Sequence, residues 1–257
     1  MAFLTLITGA TSGIGRAIAM KLARQGHNLI VTGRRETRLS ELKLELEQTC
    51  NVQVMPLAFD IRNKEEVEAK FQSLEHPWKQ IDILINNAGL ALNLNSIEEG
   101  ILAEWDQMID TNIKGLLYIT RLVATVMKQR GCGHIINIGS VAGREVYPKG
   151  NVYCATKHAV DALSKSMRID LLPFGIKVTQ IAPGAVETEF SQVRFAGNSE
   201  RAKKVYEGYK PLSGEDVAEV VAFVAGLPLH VNISDVLLMP TAQATATIFH
   251  KKTETQQ

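Results

Sequence analysis

The sequence has few of the features that mark disulfide-bonded or metal-binding proteins. Its 257 residues include only three cysteines, Cys50, Cys132 and Cys154, and no CxxC pair. An odd and scattered set of cysteines argues against a disulfide framework and favours a reducing compartment, so we expect a cytoplasmic protein. The six histidines are dispersed and show no metal-ligand spacing, and we therefore expect no metal site.

Strong net charge and long apolar runs are also lacking. The formal net charge is +1 at pH 7, which gives no field to recruit nucleic acid or an anionic membrane. No apolar run approaches the roughly 20 residues that a membrane-spanning helix needs. The short apolar run at 2–7 leads directly into glycines, so we interpret it as a first strand rather than a signal peptide. The expected partner is a small molecule.

The sequence does show a regular alternation of strand-like and helix-like segments. Helical periodicity is seen, for example, in Leu39, Leu42 and Leu46. Repeated strand–helix–strand units predict a parallel sheet covered by helices on both faces. The strand-like runs are 3–7, 28–32, 52–57, 81–85, 134–138, 177–182 and 235–239. We predict an α/β fold in which one doubly wound domain spans residues 1–249, followed by a polar, frayed tail at 250–257.

A glycine-rich turn, TGATSGIG at 8–15, follows the first predicted strand, with glycines at 9, 13 and 15. Such a turn into a helix lets backbone N–H groups approach a pyrophosphate. The spacing is GxxxGxG rather than GxGxxG, and a tight turn without a ligand is the alternative. Its position at the first strand-to-helix turn favours nucleotide binding.

The end of the second strand indicates which nucleotide is bound. An acidic residue there would accept a hydrogen bond from the ribose 2′-hydroxyl of NAD, but this chain has Arg34 and Arg35. Guanidinium groups match a 2′-phosphate, which predicts NADP, with Arg34 as the preferred contact. Solvated surface charge is the alternative for either arginine.

Three residues near the middle of the chain have the chemistry of a proton-transfer site. Tyr153 and Lys157 are four residues apart and share one helix face, and Ser140 ends a strand. A cation beside the phenol would favour its charged form and make its proton mobile. Ser140 could donate a hydrogen bond to the same substrate oxygen. An ordinary helix pair and a turn serine are the alternative.

Taken together, the motifs resemble the short-chain dehydrogenase/reductase family from end to end. The resemblance rests on the glycine turn, on Asp60, on NNAG (86–89), on Asn112, and on Ser140 with Tyr153 and Lys157. PGAVET (183–188) completes the set. The resemblance implies a Rossmann-type domain with seven parallel strands. It implies catalysis by Asn112, Ser140, Tyr153 and Lys157. It implies cofactor contacts from Gly9, Thr11, Ser12, Gly13, Ile14, Gly15, Arg34, Arg35, Asp60, Ile61, Asn87, Ala88, Gly89, Tyr153, Lys157, Pro183, Gly184, Val186 and Thr188.

The family pattern also suggests individual roles. Asp60 would contact the adenine, Lys157 the nicotinamide ribose and Thr188 the carboxamide, while Asn112 would hold a water that links Lys157 to solvent. Three simpler readings stay open: Asp60 as a cap of the next helix, NNAG as a mere turn, and Asn112 as a surface residue of a long helix.

A narrower resemblance points to the substrate. NNAGLAL, GNVYCATK, TEFSQVRFAG and LMPTAQATA look like the bacterial and yeast NADP-dependent 3-hydroxy acid dehydrogenases. This resemblance implies a homotetramer that acts on serine, allo-threonine or related acids. A carboxylate needs a cation if it is buried. Our candidate is Arg194, in a predicted lid at about 185–212, with Arg144 and Lys149 as rivals. An arginine solvated on a mobile lid is the alternative. The alternative functions are an NADPH-dependent reductase of apolar ketones and a non-catalytic NADP-binding regulator.

Overall fold

A computed structural model describes residues 3–195 and 197–252, in which strands and helices alternate as the sequence predicts. All seven predicted strands are present, and each begins and ends within two residues of its predicted bounds. The strands are β1 Leu4–Ile7, β2 Asn28–Gly33, β3 Val54–Ala58, β4 Ile83–Asn86, β5 Gly133–Ile138, β6 Ile176–Pro183 and β7 Asp235–Leu238. The helices are α1 Gly13–Arg24, α2 Glu36–Cys50, α3 Lys64–Gln72, α4 Leu102–Ile109, α5 Leu116–Arg130, α6 Asn151–Leu171, α7 Glu189–Arg194, α8 Ser199–Lys204 and α9 Gly214–Ala225.

The strands form one parallel sheet in the order β3-β2-β1-β4-β5-β6-β7. The winding reverses beside β1, which pairs with β2 on one side and with β4 on the other. In sheets of this kind, ligands bind at the carboxyl ends of the strands at such a reversal. The turns after β1, β2, β4 and β5 therefore meet at one edge of the sheet.

Alternate strand residues divide the core between the two faces of the sheet. Ile7 and Val31 pack with α1, α2 and α9 on one face, and Leu6 and Ile30 pack with α3, α5 and α6 on the other. Each of these side chains is buried, and burial of one such side chain contributes roughly 1.5–3 kcal/mol. Because both faces are covered, the central strands are rich in apolar residues and buried along their length, as is typical of parallel sheets.

The predicted lid is a separate excursion of the chain after β6. Its two ends are joined by backbone hydrogen bonds from Glu187 N to Leu212 O at 2.8 Å and from Leu212 N to Ala185 O at 2.9 Å. Between these bonds lie α7 and α8, and the Thr188 side chain caps α7 by accepting from Phe190 N. We call residues 185–212 the lid segment; Ala196 within it lies outside the described residues.

The C-terminal chain packs on the domain for longer than expected. Gln243 is buried and its Oε1 accepts a hydrogen bond from Ala185 N at the base of the lid segment. His250 N donates to Ala242 O and Lys252 N donates to Gly208 O. Ordered chain therefore extends three residues into the predicted frayed tail, because its backbone groups find partners there. Residues 253–257 lie outside the described residues.

Candidate active site

The glycine turn has a shape that only glycine permits. Gly9 and Gly13 have φ values of +68° and +52°, in the left-handed region. A Cβ on Gly15 would lie 2.3 Å from the Gly9 carbonyl oxygen, and one on Gly9 would lie 2.9 Å from the Cα of Ala88. No acidic residue stands in the first turn of α1, so the positive end of this helix is free to face an anion. The turn fits a pyrophosphate.

Hydrogen bonds from the NNAG segment hold this turn against the end of β4. The Asn87 side chain donates hydrogen bonds to the carbonyl oxygens of Thr8 and Gly9, at 2.9 and 3.1 Å. The Thr8 hydroxyl in return accepts from the backbone N–H groups of Asn87 and Ala88. Asn86 is buried and donates to Thr120. NNAG is thus more than a turn, because it fixes two strand ends against each other.

A cleft of ≈ 360 Å³ runs along this edge of the sheet. Most of the predicted cofactor and catalytic residues line it. They are Gly9, Thr11, Ser12, Gly13, Ile14, Arg34, Arg35, Asp60, Ile61, Asn87, Ala88, Gly89, Ser140, Tyr153, Lys157, Pro183, Gly184, Val186 and Thr188. Three predicted site residues do not line the cleft. Gly15 supports the turn from behind, while Asn112 and Arg194 lie deeper, as described below.

The two arginines after β2 stand exposed at the mouth of the cleft and differ in their partners. Arg35 donates to the hydroxyls of Thr11 and Ser12, at 2.7 and 2.9 Å. Arg34 has no ion pair within the described chain, and its charge lowers the pKa of Asp60 only weakly. Both arginines line the cleft.

Asp60 does not cap the following helix. Asn63 caps α3 by accepting from Glu66 N, and the Asp60 carboxylate is held by Arg62 at 2.6 Å. The hydrogen bonds from Arg62 lower the pKa of Asp60. The helix-cap reading of Asp60 is therefore wrong, and the carboxylate is a fixed anion in the wall of the cleft.

Asn112 lies in a π-helical turn, Asp110–Gly115, between α4 and α5, rather than in a regular long helix. Its side chain is buried: Oδ1 accepts from Leu90 N, and Nδ2 donates to Leu90 O and to the Thr156 hydroxyl. The surface reading is therefore wrong. A Cβ on Gly89 would lie 3.3 Å from Asn112 Oδ1 and 3.7 Å from Lys157 Nζ, so both groups border the same glycine. π-Helical turns of this kind occur frequently at functional sites.

Ser140 and Tyr153 meet at the floor of the cleft. Ser140 lies two residues after β5, and its hydroxyl accepts from Ala142 N as the chain begins a short 3₁₀ turn, Val141–Gly143. Burial raises the pKa of the Tyr153 phenol, while the charge of Arg194 and a hydrogen bond from Ser140 act in the opposite direction. Both residues line the cleft, and the serine hydroxyl is close enough to the phenol to favour its charged form.

Two cations lie near Tyr153 in the fold: Lys157 on the same helix, and Arg194 over the phenol ring. Lys157 shares a helix face with Tyr153, but its Nζ donates to the Ile138 carbonyl oxygen at 3.0 Å. Burial lowers the pKa of Lys157 to about 8. The Arg194 guanidinium lies 4.9 Å from the centre of the Tyr153 ring. Tyr153 and Lys157 both belong to α6, and the lysine ammonium is held against the end of β5.

Arg194 is anchored by aromatic residues in a small cavity next to the cleft, and Tyr153 borders both spaces. Its Nη2 donates to the Tyr147 hydroxyl at 2.9 Å, and Phe190 packs against Tyr153 with ring centres 5.8 Å apart. The Arg194 Nε is buried and has no hydrogen-bond partner within the described chain. A donor in this state has capacity for an anionic ligand.

The two rival cations are placed differently. Arg144 forms ion pairs with Asp161, at 2.6 Å, and with Asp235, so its charge is already balanced. Lys149 borders the same small cavity as Arg194. It is an exposed loop residue with a φ of +63°. Sequence reasoning missed Tyr147, which lies in the loop before α6 and positions Arg194 from 47 residues away. No pattern in the sequence marks that contact.

No helix in the described part of the chain combines the length and apolar character needed to cross a membrane. Among residues 3–195 and 197–252, no group of three or more His, Cys, Asp or Glu side chains is arranged to hold a metal ion.

The doubly wound sheet, the glycine turn at its reversal point and the Ser140–Tyr153–Lys157 group define a nucleotide-dependent oxidoreductase. The short chain dehydrogenase family matches residues 4–199. The chain belongs to that family.

Within this family, the chain is similar to several individual proteins over almost its whole length. The chain is 48% identical to the NADP-dependent 3-hydroxy acid dehydrogenase of Salmonella typhi, over 95% of this chain and 97% of that one. It is 44% identical to sulfoacetaldehyde reductase 2 of Chromohalobacter salexigens, over 95% and 96%. Among solved structures, the closed form of serine dehydrogenase complexed with NADP+ matches with a TM-score of 0.90 and 46% identity, over 98% of this chain and 100% of that one. The chain is an NADP-dependent oxidoreductase of the short-chain dehydrogenase type.

Proposed function

We propose that the protein oxidises small 3-hydroxy acids of the serine, allo-threonine or 3-hydroxyisobutyrate type, or reduces the matching semialdehydes and 3-oxo acids. The observation that carries this proposal is Arg194, a half-buried arginine whose buried Nε donor has no partner within the described chain, next to the proposed catalytic phenol. The relatives named for 3-hydroxy acids and for serine support the same substrate class. NADP, when bound, supplies the two-electron acceptor or donor.

The chain's own residues would hold the cofactor along the cleft. The glycine turn offers its backbone N–H groups to the pyrophosphate, and Arg34 and Arg35 offer guanidinium donors to the 2′-phosphate. Asp60 would face the adenine, Lys157 the ribose hydroxyls and Thr188 the carboxamide. Asn87 keeps the two turns of the cleft at a fixed distance through its bonds to Thr8 and Gly9.

Tyr153 would exchange the substrate's hydroxyl proton. Because burial raises its pKa, the cofactor-free site holds a protonated phenol, ready to protonate an alkoxide during reduction. In oxidation the phenolate accepts the proton, and cations near the ring stabilise that form. Ser140 donates to the same substrate oxygen, a contact worth a few kcal/mol when aligned with developing charge. Asn112 has one Oδ1 lone pair left for a water near Lys157.

Replacing Tyr153 by phenylalanine tests this assignment. The variant keeps the ring that packs on Phe190, so we expect turnover to fall by roughly 10²-fold or more, the usual contribution of a positioned acid–base group, with little change in NADPH affinity. The measurements are NADPH formation by absorbance and NADPH binding by fluorescence. Tyr118→Phe, on α5 and away from the cleft, is the matched control. Near wild-type turnover by Tyr153→Phe would remove this role.

The carboxylate contact calls for a separate experiment. A 3-hydroxy acid whose hydroxyl meets Tyr153 carries its carboxylate two carbons away, on the side where Tyr153 borders the Arg194 cavity. We expect Arg194→Met to raise KM for serine by roughly 10- to 100-fold, the value of a lost charge-assisted hydrogen bond. Activity on an apolar ketone should change far less. Arg201→Met, whose guanidinium packs on Phe195 in the lid segment, is the control.

A substrate panel separates the remaining candidates. Serine, allo-threonine, 3-hydroxyisobutyrate and 3-hydroxybutyrate would be assayed with NADP and with NAD, and isethionate would be included because one relative is a sulfoacetaldehyde reductase. Turnover of acids with NADP supports the proposal. Reduction of apolar ketones alone would identify a carbonyl reductase instead, and tight NADPH binding without turnover would identify a regulator.

We also propose that the protein is a homotetramer in the cytoplasm. Large apolar side chains lie exposed on two separate surfaces. Ile169 and Leu172 lie at the end of α6, and Phe223 and Leu237 lie on α9 and β7. Two self-complementary surfaces are what a tetramer of two-fold symmetry requires. Light scattering after size exclusion measures the assembly mass, and a monomer at micromolar concentration would contradict this proposal.

A further inference from the structure

An ion-pair network ties the lid segment to the arginines at the mouth of the cleft. Glu189 is the first residue of α7, and its carboxylate accepts from Arg35 at 3.2 Å and from Arg38 at 3.0 and 3.1 Å. Glu189 and Arg35 lie 154 residues apart in sequence, and both line the cofactor cleft. The network therefore bridges two walls of the same cleft.

All three guanidinium nitrogens of Arg35 take part in this arrangement. Its Nη1 donates to Glu189, while Nη2 and Nε donate to Thr11 and Ser12 of the glycine turn. A 2′-phosphate that is held by Arg34 and Arg35 together would compete with Glu189 for the donors of Arg35. The phosphate and the Glu189 carboxylate would repel each other if both stayed beside Arg35. One of the two anions has to give way.

We propose that Glu189 occupies the place of the cofactor's 2′-phosphate in the cofactor-free protein and is displaced when that phosphate binds. This inference rests on NADP as the cofactor and not on the identity of the substrate. Displacement frees the first turn of α7, the helix that also carries Phe190 and Arg194. NAD has no 2′-phosphate, so Glu189 stays paired with Arg35 and Arg38 when NAD binds, and α7 stays tied to them. Cofactor choice is thereby coupled to the helix that contacts Tyr153.

The solvent exposure of the ion pairs determines how large a change in nucleotide affinity we expect. The side chains of Glu189, Arg35 and Arg38 are 41%, 43% and 44% exposed, so solvent screens the pairs. Loss of two such pairs together with one repulsion corresponds to roughly a 3- to 10-fold change in affinity. An ion pair with no role at the cofactor site would change no nucleotide affinity.

Calorimetric titration of the cofactor-free protein with 2′,5′-ADP and with 5′-ADP tests the proposal. Glu189→Gln removes the competing charge and keeps the side-chain shape, so we expect 2′,5′-ADP to bind roughly 3- to 10-fold more tightly than to the wild type, while 5′-ADP affinity stays the same. Glu187→Gln, two residues earlier in the lid segment, should bind both nucleotides as the wild type does. Weaker or unchanged binding of 2′,5′-ADP by Glu189→Gln would overturn the inference.

Hydrogen exchange of α7 gives an independent readout. In the wild type, 2′,5′-ADP should speed amide exchange in residues 189–194 and 5′-ADP should not, whereas Glu189→Gln should exchange fast without any nucleotide. Slower exchange of α7 in the wild type with 2′,5′-ADP would contradict displacement. If neither protein prefers 2′,5′-ADP to 5′-ADP, the NADP assignment itself fails and the inference with it.

Discussion

Lys157 is expected to make the folded protein less stable at neutral pH. Burial lowers its pKa from the ordinary 10.5 to about 8. Between these values the unfolded chain binds a proton that the folded chain does not, so this residue makes stability rise with pH from 8 to 10.5. Below pH 8 the buried ammonium costs roughly 3 kcal/mol of free energy of unfolding. Lys157→Met removes that cost.

The variant also loses the hydrogen bond from Lys157 Nζ to the Ile138 carbonyl oxygen, which is worth about 1 kcal/mol or more. Both a charged and a neutral amine can make this bond, so its loss is nearly independent of pH. The decisive quantity is therefore the pH dependence of the stability difference between variant and wild type. It should be most favourable to the variant below pH 8 and should fall by roughly 3 kcal/mol by pH 10.5.

Urea unfolding of the cofactor-free protein, followed by tryptophan fluorescence at a fixed protein concentration, measures this difference from pH 7 to 10.5. Lys165→Met is the matched control, because Lys165 lies on the same helix with its side chain 59% exposed and paired with Asp161. The control should give a difference that barely changes with pH. A pH-independent difference for Lys157→Met would refute the reasoning and show that water reaches the ammonium in the folded protein.

Two further predictions concern the frame of the site. Asn112→Ala should lower the free energy of unfolding by roughly 2–4 kcal/mol, since it leaves the buried N–H and C=O of Leu90 without partners. Urea unfolding measures this loss. A loss below about 0.5 kcal/mol would show that water replaces the amide. Gly15→Ala should weaken NADPH binding by at least about 10-fold, because its Cβ would lie 2.3 Å from the Gly9 carbonyl oxygen and must shift the glycine turn. Fluorescence titration measures it, with Gly226→Ala, where a Cβ meets only ordinary contacts, as control.

The sheet could be predicted from the sequence because a doubly wound fold buries its strands on both faces. Buried strands are continuous apolar runs that end at polar or glycine residues, as IDILI does before NNAG. The elements therefore stand out from their neighbours in the chain. The glycine turn, Ser140 and Tyr153 could be singled out for a related reason: each lies within about two residues of the end or the beginning of one of these elements.

The contacts between distant segments could not be predicted in the same way. Tyr147 meets Arg194, and Glu189 meets Arg35, only because the lid segment folds back over the cleft. The sequence pattern also gives no sign of the π-helical turn at Asn112, since an inserted residue in a helix leaves the spacing of apolar residues almost unchanged. These features depend on tertiary packing and not on local propensity.

The environment of Tyr153 combines local structure with a contact from a distant segment. Burial alone favours the neutral form of both Tyr153 and Lys157, so the domain by itself makes the phenol a proton donor. The charge that favours the phenolate comes from Arg194, which the lid segment carries. If Tyr153 is the acid–base group, as we propose, reduction would draw on the protonated phenol that the domain provides, whereas oxidation would depend on a cation whose position is set by α7. The lid segment would then contribute to the acid–base balance of the site as well as to its enclosure.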